Sequence, residues 1–385
     1  GHIAMDMCSG GEAYLFTGGT VQKGTWSRAD KDSPTIFVDE NGEEFKIQFL
    51  TNHTTQELEK IYGAYKADVI EEPSLKHPIK QCQFLKELIK NQRYDIAYFN
   101  ISEAFNAMGI LAAHKAGVKK IIVHAHSSKV DSAKQMTRFF RMALHEVFRP
   151  VIGRAATDYC ACSEYAGYWM FSERIRKGSH YQIVHNAIHV PDYAYNPYVR
   201  EQVREELGLH GKLVIGHIGK YCYAKNNFFL LDIMEELLKT KKNAVLLAVG
   251  EGEDWESVKE QAQQRGLSDS IMFLGIREDV PRLLQAMDFF VLPSRFEGQP
   301  IVAIEAQAAG LYTIVSDTIT PEVVITTNCS QLSITMGAAP WVDTILAFSD
   351  YLRGTQSQKA IEKTYGETAQ KAQLQKLFGL SQKEG

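Results

Sequence analysis

Glu297 and Glu305 are the residues whose type and spacing most invite chemistry, in the stretch Ser294-Arg-Phe-Glu-Gly-Gln-Pro-Ile-Val-Ala-Ile-Glu-Ala-Gln-Ala-Ala-Gly310. A carboxylate does not attract phosphate, so its natural partner is a hydroxyl group. A sugar diphosphate with a hexose at one end and a ribose at the other offers hydroxyls at both ends. The preceding run, Asp288-Phe-Phe-Val-Leu-Pro293, reads as a buried parallel strand, and Gly298 gives the polar turn after it backbone freedom. Pro300 suits the first position of a helix and Gly310 its stop, which leaves Glu297 in the turn and Glu305 more than one helical turn further in. Unpaired N–H groups at such a helix start, around Gln299, Pro300 and Ile301, attract phosphate. Open α/β sheets bind ligands at that edge. The stretch therefore reads as a sugar-nucleotide clamp. The competing reading has Glu297 capping the helix and Glu305 merely solvated.

Three further groups fit that chemistry. The apolar run Leu213–Gly219 leads into Lys220, and Lys225 and Asn226 stand just before a helix expected at 228–239. Two lysines at one strand edge would neutralise a diphosphate as point charges, although lysines are often simply solvated. Gly250-Glu-Gly252 closes the next strand with glycines that allow backbone to approach a ligand. His124 and His126 share one side of the strand expected at 120–124 and its extension. A metal pair needs more ligands than these, and no carboxylate or third histidine is near in sequence, so no metal site is expected. A core histidine with satisfied hydrogen bonds is the alternative for either. Asp30-Lys-Asp32, in a polar turn, is the one D-x-D in the chain, and no metal-binding role is expected of it.

The elements that must position these groups alternate. Strands at 96–100, 120–124 and 158–162, with a helix at 104–116 and a long helical stretch after 124, predict a parallel sheet with helices on both faces. A second series at 213–219, 244–250, 271–274, 288–292 and 312–316 predicts a second Rossmann-like domain. The expected fold class is α/β: an atypical segment at 1–45, a first Rossmann-like domain at 46–190, a linker at 191–198 rich in Pro, Tyr and Asn, a second domain at 199–350, and a C-terminal helical segment at 351–385 that could cross back to the first domain. With 385 residues, 45% of them hydrophobic and 23% charged, the chain can fill two cores. A net charge of −4 carries no nucleic-acid footprint. No long apolar run or signal peptide is read, so a cytoplasmic location is expected. Six cysteines at 8, 82, 160, 162, 222 and 329 have no zinc or disulfide spacing; Cys160 and Cys162 are expected to pack on one strand face.

The Glu297–Glu305 stretch resembles the E-x7-E signature of the GT-B glycosyltransferases of family GT4, and from about residue 46 to 327 the chain resembles their capsule and exopolysaccharide subgroup. Phe49-Leu-Thr-Asn52, Tyr94-Asp-Ile96, Ile122-Val-His-Ala-His-Ser-Ser128, Cys162-Ser-Glu164, Val184-His-Asn-Ala-Ile188, Gly216-His-Ile-Gly-Lys220, Val249-Gly-Glu-Gly252 and Phe273-Leu-Gly-Ile-Arg-Glu-Asp-Val280 carry the resemblance. It implies two Rossmann-like domains facing each other across a cleft, with the acceptor in the first and the donor in the second. It implies a hexose-type sugar moved with retention from a nucleotide-diphosphate sugar, most simply a UDP-sugar, to a glycan or lipid-linked acceptor, with no cofactor. His126 matches the family's active-site histidine, and Ile276 and Arg277 match the region contacting the base. Lys220 replaces a common arginine, keeping charge and losing bidentate geometry. A GT-B sugar-nucleotide epimerase, or an inactive sugar-nucleotide-binding protein, shares the fold.

Two regions stand apart. Residues 134–159 set Arg138, Arg141, Arg149 and Arg154 among Phe139, Phe140, Met142, Leu144, Val147 and Phe148. Such a basic amphipathic helix can lie on an anionic membrane, or pack on a core with its charged face outward. At the start, Gly1–Met5 reads as a cloning remnant. After it, Ala13-Tyr-Leu-Phe16, Gly24-Thr-Trp26 and Thr35-Ile-Phe-Val38 read as hairpins ended by Asn41-Gly42, and the family's first βα unit is not read: either the hairpins replace it as a graft or extra module, or the form is truncated or rearranged.

Overall fold

In the computed structural model, residues 10–17, 20–27, 36–39, 48–51, 68–71, 73, 77–92, 96–354 and 358–378 are described. The first three strands, β1 (Gly10–Thr17), β2 (Thr20–Ser27) and β3 (Ile36–Asp39), form an antiparallel sheet in the order β1-β2-β3, with Thr17 opposite Thr20. Gly10 and Gly11 are the first two residues of β1. Asp30, Asp32 and the Asn41-Gly42 turn fall outside the described residues. Next, β4 (Gln48–Thr51) pairs in parallel with β5 (Asp68–Glu71).

The first domain's larger sheet runs in chain order, with β6 (Ile96–Ile101), β7 (Lys120–Ala125), β8 (Asp158–Ala161) and β9 (Tyr181–Ile183) all parallel. Helix Met108–Ala116 begins later than its expected 104, because Ala104 and Ala107 are buried in the turn leading to it. It stops at Gly117, whose φ of 81° is open to glycine and costly to most other residues. Cys160 and Cys162 are both buried, yet they do not share a cluster: Cys160 packs with Ile122, Val184 and Leu377, and Cys162, beyond the end of β8, joins the main core of the first domain.

The second sheet has β10 (Leu213–Ile218), β11 (Ala244–Val249), β12 (Ile271–Gly275), β13 (Phe289–Leu292), β14 (Tyr312–Ser316) and β15 (Cys329–Leu332), ordered β12-β11-β10-β13-β14-β15 and parallel throughout. Its apolar runs are continuous because both faces are covered. Ile215, Leu246, Phe289, Val291 and Ile314 fill one core, while Val214, Leu247, Phe290, Leu292 and Val315 fill the other. This is the strand-by-strand alternation that pleating imposes. Chain order reverses between β10 and β13, so the loops leaving those two strands open a crevice at the sheet's carboxyl edge. Both lysine and glutamate loops leave from there.

The expected linker is ordered: a 3-10 turn, Val190–Tyr193, runs into helix Pro197–Glu206, which Asn196 caps by accepting from the Tyr198 and Val199 N–H groups. At the far end, helices Gln358–Tyr365 and Glu367–Phe378 return to the first domain. There Gln370 donates to the His185 carbonyl at 2.8 Å and Gln182 donates to the Gln373 carbonyl at 3.0 Å.

Candidate functional site

At the crevice, the loop after β13 carries Glu297 and the 3-10 turn Tyr223–Lys225 after β10 carries Lys225. Lys225 Nζ lies 2.6 Å from Glu297 Oε1, which also accepts from Ser294 Oγ at 2.7 Å. The two side chains are 17% and 12% exposed, so the pair is mostly shielded from water while still open to the crevice. Glu297 is therefore not a helix cap: helix Ile301–Ala308 has no side-chain cap at its start. Pro300 sits one place earlier than expected, as the residue flanking the helix, and Gly310 follows the helix end with a φ of 71°.

Asn226 holds the lysine turn in place. It adopts a left-handed backbone with a φ of 55°, and its amide donates to the Pro293 carbonyl at 3.1 Å, tying the β10 loop to the β13 loop. Beneath it Asn227 accepts from Cys222 N at 3.2 Å and reaches His217 Nε2 at 3.1 Å, while His217 Nδ1 donates to Val291 O at 2.9 Å. Burial lowers the His217 pKa to about 4, which keeps this ring neutral.

The other predicted donor residues divide. Lys220 is exposed and only loosely paired with Glu253 at 3.4 Å. Arg277 makes a two-pronged bond to Asp279, both contacts 2.8 Å, and Ile276 beside it is 74% exposed at the end of β12. Gly250 and Gly252 are needed for a different reason than expected. A Cβ on Gly250 would meet the Gly219 carbonyl at 2.1 Å, and one on Gly252 the Tyr221 carbonyl at 2.3 Å. What approaches these glycines is the neighbouring loop's backbone. Gln299, expected to face the donor, is spent elsewhere: its amide exchanges two bonds, both 2.9 Å, with the Asn186 backbone.

Glu305 is not solvated. It accepts from Tyr193 Oη at 2.9 Å, and burial raises its pKa against the opposing effect of that hydrogen bond. Ile301, at the helix start, packs on the cluster built around Ile188, Val190, Ile361 and Tyr365.

The first domain meets this loop edge-on. Gly298 has no room for a side chain, since a Cβ would lie 1.9 Å from the His126 carbonyl, and Ser163 donates to the Gly298 carbonyl. Asp131 accepts from Ala224 N at 3.1 Å. His126 Nε2 donates to Asn100 Oδ1 at 2.7 Å, which leaves Nδ1 as the acceptor. Burial lowers the His126 pKa to about 4, so the ring is neutral near pH 7. His124 packs on it with ring centres 4.0 Å apart, and is itself fixed by Tyr98 Oη on Nδ1 and by donation to Val184 O. His124 is thus a structural partner of His126. Sequence reasoning missed Asn100, Asp131, Ser163, Asn186, Tyr193, His217 and Ser294. Ser163, Asn186, His217 and Ser294 lay in stretches already singled out, Cys162-Ser-Glu164, Val184–Ile188, Gly216–Lys220 and Ser294–Gly310, but the partners that give most of these residues their roles are distant in the chain.

The helix Gln135–Ala155 also departs from the core-packed alternative. Its buried residues are His145, Ile152 and Ala155, while Met136, Phe139, Phe140 and Val147 are 81%, 71%, 65% and 66% exposed. Arg138, Arg141 and Arg149 are half-buried beside Leu144 and Phe148, and Arg154 is exposed, so most of the arginines do not lie on the outer side.

Comparison with known proteins places this geometry. Residues 199–348 match the family Glycosyl transferases group 1, and residues 1–49 match the C-terminal domain of a protein of unknown function (DUF3048). The "Putative glycosyltransferase EpsF" of Bacillus subtilis is 31% identical over 61% of this chain and 61% of its own length. A UDP-Gal:alpha-D-GlcNAc-diphosphoundecaprenol alpha-1,3-galactosyltransferase of Escherichia coli is 26% identical over 63% of each chain. The match thus spans a little over three fifths of these relatives. Among solved structures, Anabaena Alr3699/HepE in complex with UDP and glucose superposes with a TM-score of 0.71 at 15% identity, covering 87% of this chain and 99% of that one. Sucrose-phosphate synthase of Thermosynechococcus elongatus gives 0.66 at 17% identity, over 81% and 82% of the two chains. At such identities the likeness speaks for the fold, which is GT-B. Residues 199–348 are a glycosyl transferases group 1 domain of the GT4 type, carried in a chain whose fold is GT-B.

Proposed function

We propose that this chain moves a hexose-type sugar, with retention, from a UDP-sugar to a glycan or lipid-linked acceptor in the building of a cell-surface polysaccharide. The observation that carries the reading is the Lys225–Glu297 pair, 2.6 Å long, held at the reversal of the second sheet on a loop pressed against the backbone of His126. A diphosphate entering the crevice competes for the Lys225 ammonium and frees the Glu297 carboxylate for sugar hydroxyls. Lys225, joined by Lys220, then offsets the negative charge that develops on the departing nucleotide. Neutral His126 offers Nδ1 as an acceptor to a donor-sugar hydroxyl, and Glu305, relieved of Tyr193, takes the ribose. Ile276 and Arg277 border the base. The named relatives support the reading, since one uses UDP-Gal with a diphosphoundecaprenol acceptor and one solved neighbour holds UDP.

The proposed place of work is the cytoplasmic face of a membrane, touched through residues 134–159. The exposed Phe139 and Phe140 support that contact, and no described helix is long and apolar enough to cross a membrane. The test is the melting temperature with a panel of nucleotides and UDP-sugars, on wild type and on Lys225→Ala with Glu297→Ala. A ligand bound to the native state raises it. A rise with a UDP-sugar that the double variant loses is expected, followed by product formation with that donor. No rise with any nucleotide would sink the proposal.

A further inference from the structure

The arginines of helix Gln135–Ala155 are not equivalent. Arg141 pairs with Glu103, its Nη2 at 2.5 Å, and Arg149 pairs with Glu146 at 2.9 Å. Arg138 has no carboxylate partner among the described residues. Its Nη1 donates to the Ser132 carbonyl at 2.9 Å, and its guanidinium lies 4.5 Å from the ring centre of Tyr223, across in the second domain. A second guanidinium, Arg295, lies 4.6 Å from the same ring and donates to the Tyr223 carbonyl at 2.7 Å. It too makes no ion pair among the described residues, although the Asp254 carboxylate lies near enough to favour its charge. Two like charges are thus gathered on one ring, a cation–π arrangement that leaves N–H donors of both unspent.

Position gives this cluster its meaning. Tyr223 opens the turn that ends in Lys225, and Arg295 stands two residues before Glu297, so the guanidiniums sit beside the clamp. On its other side Arg138 lines a surface cavity of about 400 Å³ together with Gln135, Met136, Phe139 and Met142. Met136 and Phe139 are 81% and 71% exposed. A ligand passing from that apolar surface to the crevice would meet, in order, an apolar floor, two guanidiniums that make no ion pair, and the sugar clamp. Paired planar forks suit an anion with several oxygens better than a single carboxylate.

We infer that Arg138 and Arg295, stacked on Tyr223, form the acceptor site of this enzyme and hold the diphosphate of a long-chain lipid diphosphate saccharide whose chain lies along Met136, Phe139 and Met142. This narrows the acceptor class within the function proposed above and rests on it. Charge complementarity selects the occupant: a neutral glycan leaves both cations unanswered, and a simple membrane surface does not need them to converge on a crevice.

The whole chain is floated with phosphatidylcholine vesicles that are plain, carry a few mole per cent of farnesyl diphosphate, or carry phosphatidylglycerol at matched charge. The expected bound fraction is at least tenfold higher on the diphosphate vesicles than on the phosphatidylglycerol ones. Arg138→Gln with Arg295→Gln should equalise the two while keeping the UDP-induced rise in melting temperature, which also shows that the variant is folded. Phe139→Ser with Met142→Ser should abolish flotation on both. Equal flotation of wild type on the two charged vesicles, or none on either, would overturn the inference, as would a preference that survives the arginine variant. Failure of the donor reading shows separately, as the absence of any UDP-induced rise in wild type.

Discussion

The two glutamates of the E-x7-E stretch have opposite surroundings. Glu297, on a loop, meets a cation and a hydroxyl, Lys225 and Ser294, and faces the crevice. Glu305, on a helix, meets one neutral hydroxyl, that of Tyr193, and burial raises its pKa. The first is paired directly with a cation; the second is held where charge is costly. The difference teaches that the spacing encodes two separate devices, an ionic latch that a diphosphate can open and a buried acceptor whose partner comes from the linker.

The harshest way to break the comparison is to disturb the loop that carries Glu297. Gly298→Ala places a methyl group 1.9 Å from the His126 carbonyl, so the loop or the domain contact must move. Overpacking of this kind costs about 1–3 kcal/mol. Misplacing reacting groups by about 1 Å can cost on the order of a hundredfold in rate. Steady-state turnover with the donor identified by melting should fall by that order, and an unchanged rate would show that the two domains do not work in this closed arrangement.

A smaller effect is expected from the latch itself. Lys225→Ala should destabilise by about 1–3 kcal/mol, discounted from the cost of breaking a fully buried pair because Lys225 is 17% exposed. Lys225→Ala with Glu297→Ala should cost less than the sum of the singles, since neither charge is left alone. Urea unfolding of the four proteins measures the coupling, and simple additivity would mean that the contact is not an ionic latch.

The gentlest test sharpens the Glu305 side. Its folded carboxyl has a raised pKa, so between the unfolded glutamate value and the folded one the native state binds more protons than the unfolded chain. Its contribution to stability is therefore greatest in acid and is lost as pH rises through the folded value. Glu305→Gln removes the titration and keeps an acceptor for Tyr193, so the variant should gain on wild type as pH rises through that window, by less than about 1 kcal/mol. Melting curves from pH 4 to 8 read this, and a difference that does not change with pH would remove Glu305 as the cause.

Much of the fold was legible because parallel strands buried on both faces are written as unbroken apolar runs, and β14 was found at its observed bounds, Tyr312–Ser316. The clamp was legible to the same depth: turn, proline and glycine place Glu297 and Glu305 from local rules alone. What the local rules could not supply was the partner of each side chain. Gln299 looked like a donor contact and instead binds the Asn186 backbone, 113 residues away in sequence. Helix Gln135–Ala155 was visible as amphipathic, yet its orientation was not, because His145, Ile152 and Ala155 make the core contact and leave Phe139 and Phe140 outside.

The C-terminal return has a mechanical consequence. Where the chain crosses back toward the first domain, Ile188 pairs with Gly366, and Ile188 N donates to the Tyr365 carbonyl at 2.9 Å. With Gln370 bound to the His185 carbonyl beside it, the outgoing and returning connections are stitched along a short seam, and they cannot slide past each other. Opening the cleft becomes a swing about that seam, with the Gly298 and Asp131 contacts as the far edge of the door.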